Sequence, residues 1–303
     1  MRICSFLPSA TDILYALGLD EAVVGVSYEC DTPGGNGGPE VVVHSRLQKG
    51  LSSGEIDRQV RDFLARGESL YRVDMDALAR LQPDLIVTQD LCHVCAASPD
   101  DLPAALAALA RPPQVVTLAP RTLAEVWNDI RKVGEATGRA AAAERLVEEL
   151  QQRVAAVEKA VAEAPARPRV LCLEWLDPPF VGGHWVPEMV ERAGGQDVLG
   201  RAGEPSFSLD WEKVLASQPE VVIVLPCGYG LAGVVDEFKS ARLPAGWKEL
   251  PAVRAGRVYA VDASRYFSRP GPQLATGVEL LGKLLHPDRI SASVPDEALA
   301  RLR

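Results

Sequence analysis

The residues with the clearest chemical potential are Cys92 and Cys95, which are separated by two residues in the stretch QDLCHVC. A C-x-x-C pair can present both thiolates to one tetrahedral zinc ion, at Zn–S distances of about 2.3 Å. The same spacing lowers a thiol pKa in redox pairs, and small side chains of this kind also pack in tight loops. Ligand or metal contact, redox chemistry and packing all stay open for this pair.

A complete zinc site needs two more ligands, but the sequence contains no second C-x-x-C and no H-x-x-x-H motif to supply them. Other loops would have to contribute, and the candidates are Cys30, His184 and Cys227. The histidine lies in a loop with two glycines, DPPFVGGHWVPE, where the backbone has unusual freedom. The resulting candidate metal set is Cys92, Cys95, His184 and Cys227.

Four of the six cysteines follow the end of an apolar run. Cys30 follows VVGVSY, Cys92 and Cys95 follow DLIVTQ, and Cys227 follows VVIVLP. In an open parallel α/β sheet, ligands bind beyond the carboxyl ends of the strands. These four cysteines are therefore predicted to face a ligand cleft.

The remaining two cysteines, Cys4 and Cys172, lie inside the apolar runs RICSF and RVLCL. Free cysteine is among the most frequently buried residue types. Both side chains are therefore predicted to pack in the core.

Aromatic residues also fall in strand-end and loop stretches, which favours a flat or bulky ligand because aromatic rings pack well against planar ring systems. Ordinary core packing is the alternative for each of them. The predicted ligand-contact residues are Tyr28, Cys30, Cys92, Cys95, Phe180, His184, Trp185, Phe207, Cys227, Tyr229 and Tyr266.

The stretch FLPSATD predicts the start of a helix, with Ser9 as its N-cap and Asp12 three residues later. Capping alone explains both residues, so no anion site is predicted.

No catalytic motif occurs: G-x-S-x-G, a Walker loop and H-E-x-x-H are all absent from the sequence. Glu174 and Asp177 flank Trp175 and are candidates for an acid–base pair, but strand alternation favours opposite faces for them. The chain is predicted not to be an enzyme.

The elements that must position these residues follow one plan that occurs twice. Residues 2–19 and 169–195 each give an apolar run, a turn and a helix. Residues 77–90 match 213–226, because each has a helix, a Gln-Pro corner and a buried strand. Alternating strands and helices predict parallel sheets covered on both faces. The predicted fold is therefore α/β, with two Rossmann-like lobes.

Between the repeats, residues 122–165 read as helical, with a break at Thr137-Gly138. The second segment has about 25 residues and would reach roughly 37 Å. We interpret its apolar positions as too irregular to hold a heptad for three repeats. This interpretation favours a rigid strut over a coiled coil. The predicted division is an N-terminal lobe at 1–120, a helical strut at 121–166 and a C-terminal lobe at 167–303.

Composition excludes some partners. The 303 residues carry a net charge of -9, so there is no basic surface for nucleic acid or an anionic membrane. No stretch approaches the ~18 to 20 apolar residues that cross a bilayer, so no membrane insertion is predicted.

The first residues, MRICSFLPS, run directly into the first predicted strand without an apolar signal segment. This predicts a cytoplasmic location, in which the six cysteines would be reduced.

In its order of motifs the chain resembles the helix-linked substrate-binding proteins of ABC importers for cobalamin, haem and ferric siderophores. The resemblance covers almost the whole chain and is strongest for the cobalamin-binding members. It is carried by RICSFLPSATDILYALGL, VVGVSYECDTP, LQPDLIVTQ, LEWLDPPF, VERAGG and DWEKVLASQPEVVIV.

The resemblance implies two rigid, periplasmic-binding-protein-like lobes joined by a long helix, with the ligand in the cleft between them. It also implies one carboxylate on each lobe that docks onto arginines of a membrane permease. The matching positions are Asp76 and Glu212, for which a solvated helix face is the alternative.

The predicted function is therefore a substrate-binding protein that holds a cobalamin-like, haem-like or other metal-complex ligand, for transport by an ABC permease. No cofactor is required. The alternative is a cytoplasmic metalloprotein or enzyme that uses the Cys/His cluster, with bound zinc or a reactive thiolate.

Overall fold

A computed structural model describes the fold of the chain. The residues that it describes are 1–31, 38–48, 50–90, 106, 109–291 and 293–302. The chain divides into two compact units. Unit 1 comprises Met1–Leu51, Glu55–Pro120 and Ala124–Glu148, and unit 2 comprises Ser52–Gly54, Arg121–Leu123 and Glu149–Arg303.

Unit 1 is built on a sheet of mostly parallel strands. In chain order the strands are β1 (Ile3–Ser5), β2 (Val23–Ser27), β3 (Glu40–Ser45), β4 (Tyr71–Val73), β5 (Leu85–Gln89) and β6 (Gln114–Leu118). Their order in the sheet is β4-β3-β2-β1-β5-β6, and among these described strands only β3 and β4 pair antiparallel. The central strands β1 and β5 are buried along their whole length, as in a parallel sheet covered on both faces.

Helices cover this sheet and continue from it. In this half of the chain they are α1 (Pro8–Ala16), α2 (Ser53–Ala65), α3 (Met75–Leu81), α4 (Leu123–Ala136) and α5 (Ala140–Val161). Gly138 has φ 70° and lies between α4 and α5, where the break in the helical segment is predicted. Among the described residues, no helix has the length and apolarity that crossing a membrane requires.

Unit 2 has a second, separate sheet. Its strands are β7 (Arg169–Leu176), β8 (Pro179–Val181), β9 (Gln196–Asp197), β10 (Phe207–Ser208), β11 (Val221–Val224), β12 (Val258–Val261) and β13 (Leu299–Arg301). The order is β10-β8-β7-β11-β12-β13, with β9 beside β7. The strands β7, β11 and β12 run parallel, and β8, β10 and β13 add antiparallel pairs.

The helices of unit 2 alternate with these strands. They are α6 (Val186–Arg192), α7 (Trp211–Ala216), α8 (Leu231–Ser240), α9 (Pro251–Arg254), α10 (Ala263–Tyr266) and α11 (Leu274–Leu285). Short 3₁₀ helices lie at Asp20–Ala22, Ala245–Glu249 and Asp296–Ala298. The two separate sheets confirm the predicted α/β fold. The predicted three-part division, with a distinct strut at 121–166, stays a prediction.

The Gln-Pro corners show the repeat at the level of single bonds. Gln82 and Gln218 both follow a helix and both adopt left-handed backbone conformations, with φ 41° and 45°. The Gln82 side-chain amide donates to Ala79 C=O at 2.8 Å, and that of Gln218 donates to Leu215 C=O at 2.9 Å. Each glutamine side chain therefore adds a hydrogen bond to a carbonyl in the last turn of the preceding helix.

Two local interpretations need correction. Ser9 does not cap α1: the N-cap is Leu7, and Pro8 occupies the first helical position, where a missing N–H costs nothing. The helix α5 does hold a heptad-like pattern, because its buried side chains alternate in spacing between four and three residues. They are Ala143, Val147, Leu150, Val154, Val157 and Val161.

The buried stripe of α5 has a packing explanation within unit 2. A Cβ added at Gly282 would lie 2.9 Å from a Val157 methyl, and one added at Gly194 would lie 2.9 Å from Val161. Gly282 and Gly194 therefore allow α5 to approach the backbone at these two positions closely. The regular spacing reflects burial along one helix face.

Cys4 and Cys172 are buried, at 0% and 1% exposure, as predicted. Burial raises the pKa of the Cys4 thiol to about 12 and also raises that of Cys172. Both thiols therefore stay protonated at neutral pH and serve as small core side chains.

Candidate functional site

The carboxyl ends of β7 and β11 bring together several polar and aromatic side chains of unit 2. Glu174 and Trp175 lie near the end of β7, and Cys227 and Tyr229 follow β11. The Cys227 N–H donates to Glu174 C=O at 3.3 Å, which extends the contact between the two strands. This edge of the sheet is where ligands bind in parallel α/β folds.

An aromatic patch covers this edge and consists of Trp175, Phe180 and Tyr229. Trp175 lies directly opposite Phe180 in the antiparallel pair of β7 and β8, so their side chains share one face of the sheet. The Trp175 and Tyr229 rings meet edge to face, with centroids 5.7 Å apart. All three side chains are half-buried, which leaves ring surface available for contact with a ligand.

Phe207, on the neighbouring strand β10, lies on the opposite face of the sheet from Phe180, because its partner Val181 is the next residue along β8. The Arg201 guanidinium lies 4.6 Å from the centroid of the Phe207 ring, a cation–π arrangement. Phe207 is half-buried and has part of its surface taken by this arginine.

The loop that carries His184 is fixed through its backbone. The Gly183 N–H donates to Glu174 Oε1 at 3.3 Å. The His184 N–H donates to Glu204 C=O at 2.6 Å, and His184 C=O accepts from the Gly203 N–H at 2.8 Å. His184 is therefore held on both sides by the segment that contains Gly203 and Glu204.

His184 adopts a backbone conformation that its side chain disfavours. Its φ is 49°, in the left-handed region that costs a residue with a Cβ about 1 kcal/mol or more. Burial lowers the pKa of the imidazole, and the positive charge of Arg121 lowers it further. At neutral pH the half-buried ring is therefore neutral and keeps a nitrogen lone pair for a metal.

Glu174 connects two segments of unit 2. One carboxylate oxygen accepts the Gly183 N–H, and the other accepts from the Ser206 hydroxyl. A Cβ on Gly183 would collide with the backbone of Pro205 and Ser206, so only glycine allows this approach. The carboxylate therefore spans the contact between the His184 loop and the segment before β10.

Two of the predicted aromatic contacts lie in the interior of unit 2. Trp185 is 4% exposed, and its indole N–H donates to Phe267 C=O at 2.7 Å. Tyr266 is 3% exposed. These positions leave almost no ring surface for a ligand, so burial weighs against both assignments, which stay predictions.

Unit 1 presents a polar strand edge of its own. Ser5, Ser27, Thr88 and Gln89 lie at the carboxyl ends of β1, β2 and β5, and all are buried. Beside them, the Thr11 hydroxyl oxygen lies 3.0 Å from the sulfur of Cys30, which is half-buried. The carboxyl edge of this sheet is thus lined with hydroxyl, amide and thiol groups.

Tyr28, a predicted contact residue of unit 1, is exposed at 40%. Its hydroxyl donates to the Glu29 carboxylate at 2.6 Å. Partial burial and the negative charge of Glu29 raise the pKa of the phenol, so Tyr28 stays protonated at neutral pH.

The cysteine pair that motivated a metal site, Cys92 and Cys95, lies outside the described residues. The two other members of that set lie in unit 2, where Cys227 is exposed and His184 half-buried. Within the part of the chain that the structure describes, no three His, Cys, Asp or Glu side chains form a group able to hold a metal ion. The four-ligand site stays a prediction.

The two predicted docking carboxylates occupy equivalent positions. Asp76 is the second residue of α3 and Glu212 the second residue of α7, and both are exposed. Each helix leads into one of the Gln-Pro corners. Both carboxylates are thus accessible, as the docking hypothesis requires.

Glu174 and Trp175 were not among the predicted contact residues. Their position at the end of a long apolar run carried the signal, because the last residues of a parallel strand border the ligand edge. Pairing with Phe180, which places Trp175 in the aromatic patch, depends on the β7–β8 register and could not be read from spacing.

Two α/β units with aromatic and polar side chains at their strand ends have the architecture of small-molecule-binding proteins. The family model described as periplasmic binding protein matches residues 3–264, and the chain belongs to this family. The predicted resemblance is therefore confirmed.

Relatives of known name agree with this assignment. The ABC transporter substrate-binding lipoprotein YvrC of Bacillus subtilis is 25% identical over 298 residues, covering 95% of this chain and 80% of the relative. The vitamin B12-binding protein of Vibrio cholerae is 24% identical over 282 residues, covering 92% of this chain and 86% of the relative. The periplasmic heme-binding protein RhuT from Roseiflexus sp. RS-1, solved in apo form, is 27% identical with a TM-score of 0.68, covering 94% and 98% of the two chains.

These comparisons support the predicted substrate-binding function and give no support to the alternative of a Cys/His metalloprotein or enzyme. The family consists of transport substrate-binding proteins.

The predicted cytoplasmic location is wrong, because relatives and structural neighbours are named as periplasmic proteins or as a lipoprotein. The prediction rested on the first residues of the sequence, from which location does not follow. The expectation of reduced cysteines rested on the same location and is withdrawn with it.

Proposed function

We propose that this chain is an extracytoplasmic substrate-binding protein that binds a cobalamin-like or haem-like metal complex and delivers it to an ABC permease. It acts as a binding protein, not as an enzyme. The names of its relatives, which include vitamin B12-binding and heme-binding proteins, support the ligand class.

The observation that carries the ligand class is the state of His184. A neutral imidazole, held in a disfavoured backbone conformation at a strand-end loop, suits coordination of a metal that has an open axial position. Disfavoured backbone conformations cluster at functional sites because surrounding contacts must maintain them.

The aromatic patch supports the same ligand class. A corrin or porphyrin macrocycle presents an extended, largely apolar face, which packs well against rings such as Trp175 and Phe180. Tyr28, Cys30, Phe207, Cys227 and Tyr229 are proposed as further contacts. Cys92 and Cys95 are proposed as ligand contacts too, with zinc binding as the competing use of their thiolates.

The direct test is an absorption titration of the purified protein with haemin and, separately, aquocobalamin. We expect one of them to bind with a Kd of about 1 µM or tighter and with the spectral shift that imidazole coordination produces. Metal analysis of untreated protein is the companion measurement. Absence of binding by both probes, together with stoichiometric zinc, would contradict the proposal.

Delivery to a permease is testable through Asp76 and Glu212. Neutralising both, as Asp76→Asn with Glu212→Gln, is expected to weaken stimulation of the permease ATPase in proteoliposomes by about tenfold, since complementary charges govern such docking. Affinity for the metal complex should not change, because neither residue lies at a strand end.

A matched control neutralises two other exposed carboxylates, one in each unit, as Glu135→Gln with Asp288→Asn. This variant should stimulate the ATPase like the wild type. Equal loss in both double variants would show a general effect of charge and would refute the docking role.

A further inference from the structure

Glu174 contacts the His184 loop and a second segment of unit 2. Its carboxylate accepts the Gly183 N–H at 3.3 Å, immediately before His184 in the chain. Its second oxygen accepts from the Ser206 hydroxyl. The two donors belong to different segments, so one side chain ties both segments to the end of β7.

The same two segments are joined through His184 itself. His184 N–H and C=O pair with Glu204 and Gly203, two and three residues before Ser206. Gly183 packs so closely on Pro205 and Ser206 that no Cβ fits between them. The conformation of His184 therefore depends on how tightly the two segments are held together.

We propose that Glu174 is a positioning residue whose carboxylate holds the His184 loop against the segment before β10 and thereby fixes the His184 imidazole for coordination. The described hydrogen bonds support the contact between the two segments. The use of this contact in ligand binding rests on the proposed function.

Glu174 could affect the His184 pKa through positioning of the loop or through its charge, and these two effects have opposite signs. Loss of the Glu174 negative charge by itself would destabilise the imidazolium and lower the His184 pKa. Loss of the two hydrogen bonds would release the loop and hydrate the ring, which removes the burial that lowers the pKa. Release of the loop therefore raises the His184 pKa towards its ordinary value.

The ligand-free experiment is an NMR titration of the histidine ring protons in the full-length protein. The chain has 4 histidines, and loss of a signal in His184→Asn assigns the resonance. In Glu174→Ala we expect the His184 pKa to shift upwards, and in Ser206→Ala to shift in the same direction by less. A fall, or no change in either variant, would overturn the proposal.

The matched control is Glu220→Ala. The Glu220 carboxylate also accepts a backbone N–H in unit 2, from Arg169 at 2.9 Å, but it lies at the opposite, amino end of the central strands. The His184 pKa should not change in this variant. Circular dichroism of each variant verifies folding, and Ser206→Ala keeps the test valid if Glu174→Ala fails to fold.

A haemin titration separates this inference from the proposed function. If the wild type binds haemin, Glu174→Ala should bind it about tenfold more weakly, with partial loss of the imidazole-coordinated spectrum. A wild type that binds neither haemin nor aquocobalamin, combined with the upward pKa shift, would refute the proposed function and uphold the positioning role. Haemin binding by the wild type without a change of the His184 pKa in the variants would uphold the proposed function and refute the positioning role.

Discussion

Replacing His184 by asparagine is expected to abolish metal coordination while the free energy of unfolding stays within about 1 kcal/mol of the wild-type value. Asparagine adopts the left-handed conformation more readily than most residues with a Cβ, so the backbone at φ 49° is preserved. The amide has no imidazole lone pair for the metal. Since loss of groups that merely support a metal ligand costs 10- to 100-fold, affinity should fall by at least about 100-fold.

The measurement is the absorption titration with the metal complex that the wild type binds, together with a urea unfolding curve. Gln218→Asn is the matched control, because Gln218 has φ 45° in the same unit but does not belong to the ligand edge. It should bind as the wild type does. Unchanged affinity in His184→Asn would remove His184 from the site.

His184 also leads us to expect a pH dependence of ligand affinity in the wild-type protein. Coordination needs the neutral imidazole, and burial with the nearby Arg121 charge lowers the His184 pKa. Ligand affinity should therefore hold down to a lower pH than an ordinary histidine would allow and fall as the pH drops through the lowered pKa. His184→Asn should lose this pH dependence.

The second large effect is expected for Gly183→Ala. The added methyl group would collide with the backbone of Ser206 and Pro205, and backbone atoms cannot move aside as the tip of a flexible side chain can. We expect the free energy of unfolding to fall by about 2 to 3 kcal/mol, the cost of overpacking a tight contact. Ligand affinity should fall as well, because the His184 loop must move outwards.

Urea unfolding and the absorption titration measure the two effects. The control is Gly230→Ala, because a Cβ at Gly230 meets no atom closer than Asp262 Oδ2 at 3.9 Å. That variant should keep wild-type affinity and lose less than about 1 kcal/mol of stability, the cost of alanine at the N-cap of α8. A Gly183→Ala protein as stable as the wild type would contradict this prediction, because it would show that the His184 loop can move away from Ser206 and Pro205 without cost.

The sequence was sufficient to predict the parts of the fold that depend on local pattern. Alternating apolar runs and helices predicted two α/β sheets, and the Gln-Pro corners predicted a repeat that the backbone at Gln82 and Gln218 reproduces. Burial of Cys4 and Cys172 also followed from their positions inside apolar runs. In each case neighbours in the sequence determine the outcome.

Predictions failed where the outcome depends on contacts between distant residues or on a neighbour's special geometry. Ser9 is predicted as the N-cap, but Pro8 occupies the first helical position, so α1 starts two residues earlier than expected. Trp175 joins the aromatic patch only through the register of β7 with β8. Glu174 acquires its partners from segments 9 and 32 residues away, which no spacing rule relates.

The paired corners at Gln82 and Gln218 also bear on how the chain folds. In each, the glutamine amide donates to a carbonyl three residues earlier, at the point where the helix ends. Such short-range contacts form fast, because little chain entropy is lost in closing them. Each unit therefore contains local contacts at the place where a helix ends and a strand begins. The corner at Gln82 can form before the residues of the corner at Gln218 have been synthesised.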